Sequence, residues 1–375
     1  MNNFVFENSS KVYFGEGCVK EYLSNILSAY GDTVMLCYGG GSIKKNGIYD
    51  EIITILKKEN KAVVEFSGIP SNPTCSKVLE GVKLAKESNA DLILAVGGGS
   101  VMDCCKAISL GAKYDGDIWA DFWARPGVID FEPLPLGIIV TVSGTGSECN
   151  GGAVITNEQL KIKTGRDYPQ LNAKFVMLDP TYTYSVPKFQ MVSGAFDTIS
   201  HIMEIYFSEP NESNVSDDIS EALMKNVITN LRAAIKNPED YTARSNLMWD
   251  ATMAENRIIK LGKRQILSVT KWSTSSAHTL TAITVQVLPF FTLFITGIFA
   301  KQAKRNLFSL QLMFGVSQKT VKQIKSLQRQ ALRLLLISLR KSVCQQPLRS
   351  LVLMKISTLK KLQTPAVLYP VLTKR

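Results

Sequence analysis

Five short, mostly apolar runs constrain the fold of this chain more than any other feature: Thr33-Val34-Met35-Leu36-Cys37, Ala62-Val63-Val64-Glu65-Phe66, Leu92-Ile93-Leu94-Ala95-Val96, Ile138-Ile139-Val140-Thr141 and Phe175-Val176-Met177-Leu178. Each has the length of a strand, and they alternate with longer stretches of helical period. Runs of this kind are strands covered on both faces, as in a parallel sheet of βαβ units. The first half is therefore expected to be a doubly wound α/β domain. After Val186-Pro187 the strand signal stops. Patterns of 3.6 period over Met191 to Phe207, Asp217 to Lys236 and Tyr241 to Ile259 predict an all-helical second domain. The boundary is placed near residue 187, and 375 residues suffice for two cores.

Two of the predicted strands run into glycine clusters that lead into helices, Gly39-Gly40-Gly41-Ser42 and Gly97-Gly98-Gly99-Ser100-Val101-Met102-Asp103. Glycine lets a backbone approach a pyrophosphate, and the free N–H groups at the next helix start attract anions. Either cluster alone is equally a tight strand-to-helix turn. Two such turns, joined after a further strand by Thr141-Val142-Ser143-Gly144-Thr145-Gly146-Ser147-Glu148, converge on one crevice and favour a dinucleotide. In the helical half, Asp197 and His201 stand at i and i+4, on one face of one helix. A carboxylate and an imidazole so placed suit a divalent metal. On the spacing alone, a capping or ion-paired aspartate beside a core histidine is the commoner case.

The combination GGGSVMDCCKAI (97–108), TVSGTGSE (141–148), VMLDPTYTYSVP (176–187) and GAFDTISHIMEIYF (194–207) resembles the iron-containing alcohol dehydrogenases, in particular their butanol dehydrogenase branch, nearly continuously over residues 1–262. The resemblance implies a dehydroquinate synthase-like fold: an NAD(P)-binding α/β domain over residues 1–186, then a helical metal-binding domain from residue 187. It implies dinucleotide contacts from Gly98, Gly99, Ser100, Asp103, Thr141, Ser143, Thr145 and Lys163, beside the Gly39–Ser42 turn, and metal ligation by Asp197 and His201. The implied reaction is reversible hydride transfer between NAD(P)(H) and a primary alcohol or aldehyde such as butanol. Iron(II) or zinc serves as Lewis acid, and no catalytic side chain is expected beyond the metal site. An NAD-specific relative would carry an acid after the first strand to hold the ribose 2′-hydroxyl. Here Lys44 and Lys45 follow the glycines, which favours NADP(H). A cytoplasmic homodimer is expected.

Charge divides the chain at the same place where the resemblance ends. Residues 1–262 hold 24 Lys+Arg and all 32 Asp+Glu; residues 263–375 hold 19 Lys+Arg and no acid. At the density of the first part, the remaining 113 residues would carry about 14 carboxylates. The third and fourth metal ligands of the family belong in a segment like ECHxxEHxxxAYTDCNHG. The chain instead reads KRQILSVTKWSTSSAHTLTAITVQV. Writing Gln265 to Thr274 as CAG ATT TTG AGT GTC ACA AAA TGG AGC ACC and starting at the third base gives DFECHKMEH. Ala282 to Val287 treated alike gives NHGAG. The shift also restores acids in later segments. Residues 263–375 are therefore expected to be a frameshifted tail, the change lying near codons 260 to 265. The ligand codons would straddle Val269/Thr270 and Ile283/Thr284, another family histidine would straddle Ser273/Thr274, and His278 falls at none of these positions. The half-site of Asp197 and His201 leaves this exact chain expected to be inactive.

Two other readings take the tail at face value. The charge-free stretch Thr279 to Ala300, followed by Lys301, Lys304 and Arg305, has the length of a membrane anchor. The net charge of +11 suggests a basic nucleic-acid-binding arm. Pro289 and several threonines weaken the first, and the lack of glycine/aromatic interleaving or a helix-turn-helix pattern weakens the second. No membrane or nucleic-acid partner is expected. The N-terminus shows no export signal. The seven cysteines, Cys18, Cys37, Cys75, Cys104, Cys105, Cys149 and Cys344, lack CxxC spacing and read as reduced core thiols.

Overall fold

The computed structural model describes residues 1–210 and 214–264, which fall within one compact unit. The tail expectations, Thr279 to Ala300 and His278 among them, lie outside the described residues.

In chain order the elements are β1 (Lys11–Phe14), α1 (Cys18–Leu27), β2 (Thr33–Tyr38), α2 (Ser42–Lys45), α3 (Ile48–Lys58), β3 (Ala62–Phe66), α4 (Cys75–Glu87), β4 (Leu92–Gly97), α5 (Gly99–Gly111), a π-helical turn (Trp119–Ala124), β5 (Leu136–Val140), β6 (Gly152–Asn157), β7 (Ile162–Asp167), β8 (Phe175–Leu178), α6 (Lys188–Tyr206), α7 (Val215–Lys236) and α8 (Tyr241–Glu255). Six strands form one sheet in the order β1-β8-β5-β4-β2-β3, every pairing parallel. The α/β sheet followed by a helical region is as expected.

Alternation along the central strands explains why they read as continuous apolar runs. Leu92, Leu94 and Val96 point to a core shared with α1 and α3, while Ile93 and Ala95 point to one built on α5 with Cys104, Cys105 and Ile108. With both faces covered, no position on β4 is left polar, and all its residues are buried. The strand β3 departs from the expectation. It is an edge strand whose residues are mostly exposed or half-buried, because β2 is its only neighbour in the sheet. The short β1 and the antiparallel hairpin β6–β7 were not expected either. Their few residues lack a distinctive apolar run.

The helices begin where side-chain acceptors meet free backbone donors. Thr74 caps α4 through Lys77 N, Asn214 caps α7 through Asp217 N, and Asp240 caps α8 through Ala243 N. The expected helix from Tyr241 to Ile259 ends at Glu255, where Asn256 and Arg257 turn the chain into a short 3-10 segment over Ile258–Lys260. Cys18, Cys37, Cys104, Cys105 and Cys149 are buried free thiols and Cys75 is half-buried; burial pushes Cys75 up to about 11. No helix among the described residues is long and apolar enough to cross a membrane.

Candidate functional site

The turns read from the sequence meet at the carboxyl end of the sheet. Strands β2 and β4 are neighbours in register, Tyr38 beside Val96, so the Gly39–Gly41 and Gly97–Gly99 turns leave the sheet side by side. The order of the strands reverses between them: the chain goes from β2 out to β3 and returns on the other side to β4. Ligands of open α/β sheets occupy such a crevice.

Small residues here are required by approach. A Cβ on Gly99 would lie 2.6 Å from Thr145 Cγ2, and one on Gly98 would lie 3.2 Å from the Cβ of Val142. The turn following β5 is thereby drawn against the start of α5. Gly41 adopts φ +90°, a left-handed conformation that favours glycine. The result is a glycine-walled cradle, a shape that fits a pyrophosphate laid against the helix N-terminus.

The predicted site residues divide by what they touch. Thr141 N donates to Gly97 O at 3.0 Å and ties the two turns together. Ser100 Oγ accepts from Asn72 N at 3.2 Å, and Asn72 Oδ1 accepts from Lys163 Nζ at 2.7 Å, so Ser100 and Lys163 are linked through a residue that the sequence did not single out. Burial pulls the Lys163 ammonium down, with Asp103 and Asp197 countering it. Ser143 Oγ donates to Leu247 O of α8 at 3.1 Å. Asp103 turns inward: its oxygens accept from Ser147 Oγ at 2.8 Å and Val154 N at 3.0 Å, which makes it a brace of the crevice wall.

Beside Asp103 lies a further residue missed in the sequence. Lys106 is wholly buried, and its Nζ donates to Ser147 O at 2.5 Å, Ser147 Oγ at 2.8 Å, Gly152 O at 2.8 Å and Asn150 Oδ1 at 3.3 Å. A lysine within Cys104-Cys105-Lys106-Ala107-Ile108 was the available signal, since an unpaired charge is not tolerated in such a run.

The same Ser143–Gly146 turn seats the helical region. A Cβ on Gly194 of α6 would stand 2.3 Å from Ser143 O, and one on Gly146 would stand 2.3 Å from Ala251 O of α8. Ser143, Met191, Ala195, Thr198 and Leu247 line a small cavity at this junction.

One turn further along α6, Asp197 and His201 stand together as their spacing requires, with His201 Nε2 at 3.6 Å from Asp197 Oδ1. Glu255 of α8, not expected from the sequence, approaches the other ring nitrogen, with Oε1 at 3.3 Å from Nδ1. Burial pulls His201 down, but Glu255 and Asp197 outweigh it and hold the imidazole up at about 9. Among the described residues no group of three or more His, Cys, Asp or Glu side chains is arranged to hold a metal ion. Asp197 and His201 are two donors, whereas a divalent metal takes three or four protein ligands, so the described residues alone do not complete a site.

The lysines after the first glycine turn are also engaged. Lys44 Nζ lies 3.2 Å from Glu65 Oε2 and 4.3 Å from the centre of the Tyr49 ring. The Lys44 ammonium thus already faces a carboxylate.

The fold and crevice define an open-sheet α/β protein with its ligand face turned to a helical region. Comparison with known proteins narrows this class. Residues 9–180 match the model for the iron-containing alcohol dehydrogenases, and residues 191–343 match the C-terminal model of the Fe-containing alcohol dehydrogenase family. The NADH-dependent butanol dehydrogenase A of Clostridium acetobutylicum is 42% identical over 273 residues, covering 73% of this chain and 68% of that one. The NADPH-dependent aldehyde reductase YqhD of Escherichia coli is 35% identical over 287 residues, covering 76% and 71%. A crystal structure of an NADH-dependent butanol dehydrogenase A from Thermotoga maritima superposes with a TM-score of 0.78 at 34% identity, covering 88% of this chain and 84% of that one. The chain belongs to the iron-containing alcohol dehydrogenase family, on the side of its butanol dehydrogenases.

Proposed function

We propose that the protein, in its intact reading frame, is a nicotinamide-dependent alcohol dehydrogenase of the cytoplasm, working as a homodimer on primary alcohols or their aldehydes, butanol among them. The observation that carries this reading is the convergence of the glycine and Ser/Thr turns after β2, β4 and β5 on one crevice, with Asp197 and His201 on the helix seated against it. The nicotinamide supplies the hydride chemistry when bound. The residues of the chain do the holding: Gly98 and Gly99 admit the pyrophosphate, Thr141 and Ser143 fix the wall opposite, and Asn72 with Lys163 closes the side near Ser100. The pairing of Lys44 with Glu65 speaks against the NADP(H) preference expected from Lys44 and Lys45.

No chemical step is assigned to a metal, since the described residues supply only Asp197 and His201. We infer that the remaining donors were lost to a change of frame near codons 260 to 265, which makes this exact chain a dinucleotide binder without dehydrogenase activity. Supporting this are the 113 residues without an acid and pairwise matches that leave about a third of the butanol dehydrogenase relative uncovered. The family match that runs on to residue 343 stands against it. The test compares two chains, the one given, verified by intact mass, and one with the frame restored. The expected result is NADH or NADPH binding by both and butanol oxidation by the restored chain alone. Butanol oxidation by the chain as given would overturn the frame reading; no oxidation by the restored, metal-loaded chain would overturn the dehydrogenase reading.

A further inference from the structure

The sequence leaves the position after β2 without the acid that would recognise a ribose hydroxyl, and the fold fills that position from elsewhere. Glu65 is the next-to-last residue of β3, the strand beside β2, with Leu36 as its partner in register. Its carboxylate reaches across the end of β2. Tyr38 OH donates to Glu65 Oε2 at 2.5 Å, Tyr49 OH donates to Oε1, and Lys44 Nζ donates to Oε2 at 3.2 Å. Lys44 is further held over the rings of Tyr49 at 4.3 Å and Tyr38 at 5.2 Å. Two tyrosine hydroxyls from different elements therefore aim one carboxylate at the carboxyl end of the sheet. Hydrogen bonds from Tyr38 and Tyr49, then Lys44, hold Glu65 below its ordinary range, so it is ionised at neutral pH. The side chains of Glu65 and Lys44 keep 41% and 47% of their surface open, which leaves them accessible to a ligand.

With the pyrophosphate against the start of α5, an extended dinucleotide crosses from β4 towards β2 and β3, and its adenosine ribose arrives on this cluster. We propose that Glu65 is the specificity-determining residue for that ribose, accepting from a 2′-hydroxyl and repelling a 2′-phosphate, so that the chain takes NAD(H) in preference to NADP(H). The proposal rests on the dinucleotide reading above. Lys44 does not reverse the preference, because its charge is already matched by Glu65. An exposed ion pair is held weakly, so Lys44 becomes a phosphate partner once the carboxylate loses its charge.

Binding of NADH and of NADPH to the full-length chain, followed by the fluorescence of the reduced nicotinamide, tests this without any need for metal or turnover. The wild type is expected to bind NADH about tenfold tighter than NADPH, and Glu65→Gln to shift the ratio by about tenfold or more towards NADPH. Lys44→Met, made in the Glu65→Gln background, should return the gain, because it removes the counter-charge that the phosphate uses. Binding of both dinucleotides with a ratio unchanged by Glu65→Gln overturns the role of Glu65 and leaves the dinucleotide reading intact. Failure of the wild type to bind either overturns both.

Discussion

Replacing Lys106 by methionine should cost about 3–5 kcal/mol of stability. The side chain is wholly buried, and methionine fills nearly the same volume along the stem, so the loss of packing is small. What disappears is the ammonium and its bonds to Ser147 O, Ser147 Oγ, Gly152 O and Asn150 Oδ1. The carbonyl of buried Ser147 loses this donor at a cost of about 1–3 kcal/mol, and that of half-buried Gly152 keeps only a 3.4 Å bond from Ser147 Oγ. Asp103 adds to this, because burial already pushes its carboxyl up and Lys106 is the leading effect in the other direction. A change of that size lowers the melting temperature of a unit this large by about 10 °C. Near-UV circular dichroism on heating and urea unfolding would measure it, with Lys106→Met/Asp103→Asn completing a double-mutant cycle. The two changes should be less than additive by about 1–3 kcal/mol. A loss below about 1 kcal/mol would refute the argument, since the desolvation of the ammonium would then cancel all four of its bonds.

Two further substitutions test other parts of the molecule. Burial pushes Asp250 up to about 7, against a hydrogen bond from Asn226 Nδ2 at 3.0 Å. The folded chain thus keeps a proton that the unfolded chain releases near pH 3.9. The penalty is absent below that value, grows between about pH 4 and 7, and is complete above it, reaching at most about 4 kcal/mol. Asp250→Asn should therefore stabilise the protein at pH 8 and have little effect near pH 4; parallel stability–pH curves for the two chains from pH 4 to 8 would contradict this. Gly194→Ala sets a methyl 2.3 Å from Ser143 O and 3.3 Å from Gly144 Cα, backbone atoms that cannot rotate away. About 1–3 kcal/mol should be lost as α6 is pushed off the Ser143–Gly146 turn, and a melting temperature unchanged within a degree would show that the contact yields freely.

How far the sequence reveals this molecule depends on whether a residue's role is local. Strands β2, β4, β5 and β8 were legible because burial on both faces removes polar residues from the chain itself. The glycine turns were legible because strand, glycine cluster and helix follow one another in the chain, where a Cβ on Gly98 or Gly99 would crowd Val142 or Thr145. Edge strand β3 was recognised as a strand but misjudged as covered, since sheet order is not written in any one run. Glu65 was not singled out, because its partners come from β2, α2 and α3. Glu255 escaped for the same reason: only the packing of α8 against α6 brings it to His201.

The two halves of the proposed chemistry are built from different stretches of chain, and this makes them separable by a single fault. Every turn of the crevice, its Lys106 brace and the Glu65 cluster come from residues before the hairpin β6–β7 closes at Asp167. The helices that seat against it, with Gly194 and Ala251 at the contact, are complete by Glu255. A frame change near codon 262 therefore leaves the dinucleotide cradle whole. It also leaves Asp197, His201 and Glu255 together, with the imidazole between two carboxylates. A divalent ion takes three or four protein ligands, so further donors are needed beside Asp197 and His201. Dinucleotide affinity should thus survive in the chain as given, while metal affinity should appear only when the missing ligands are restored.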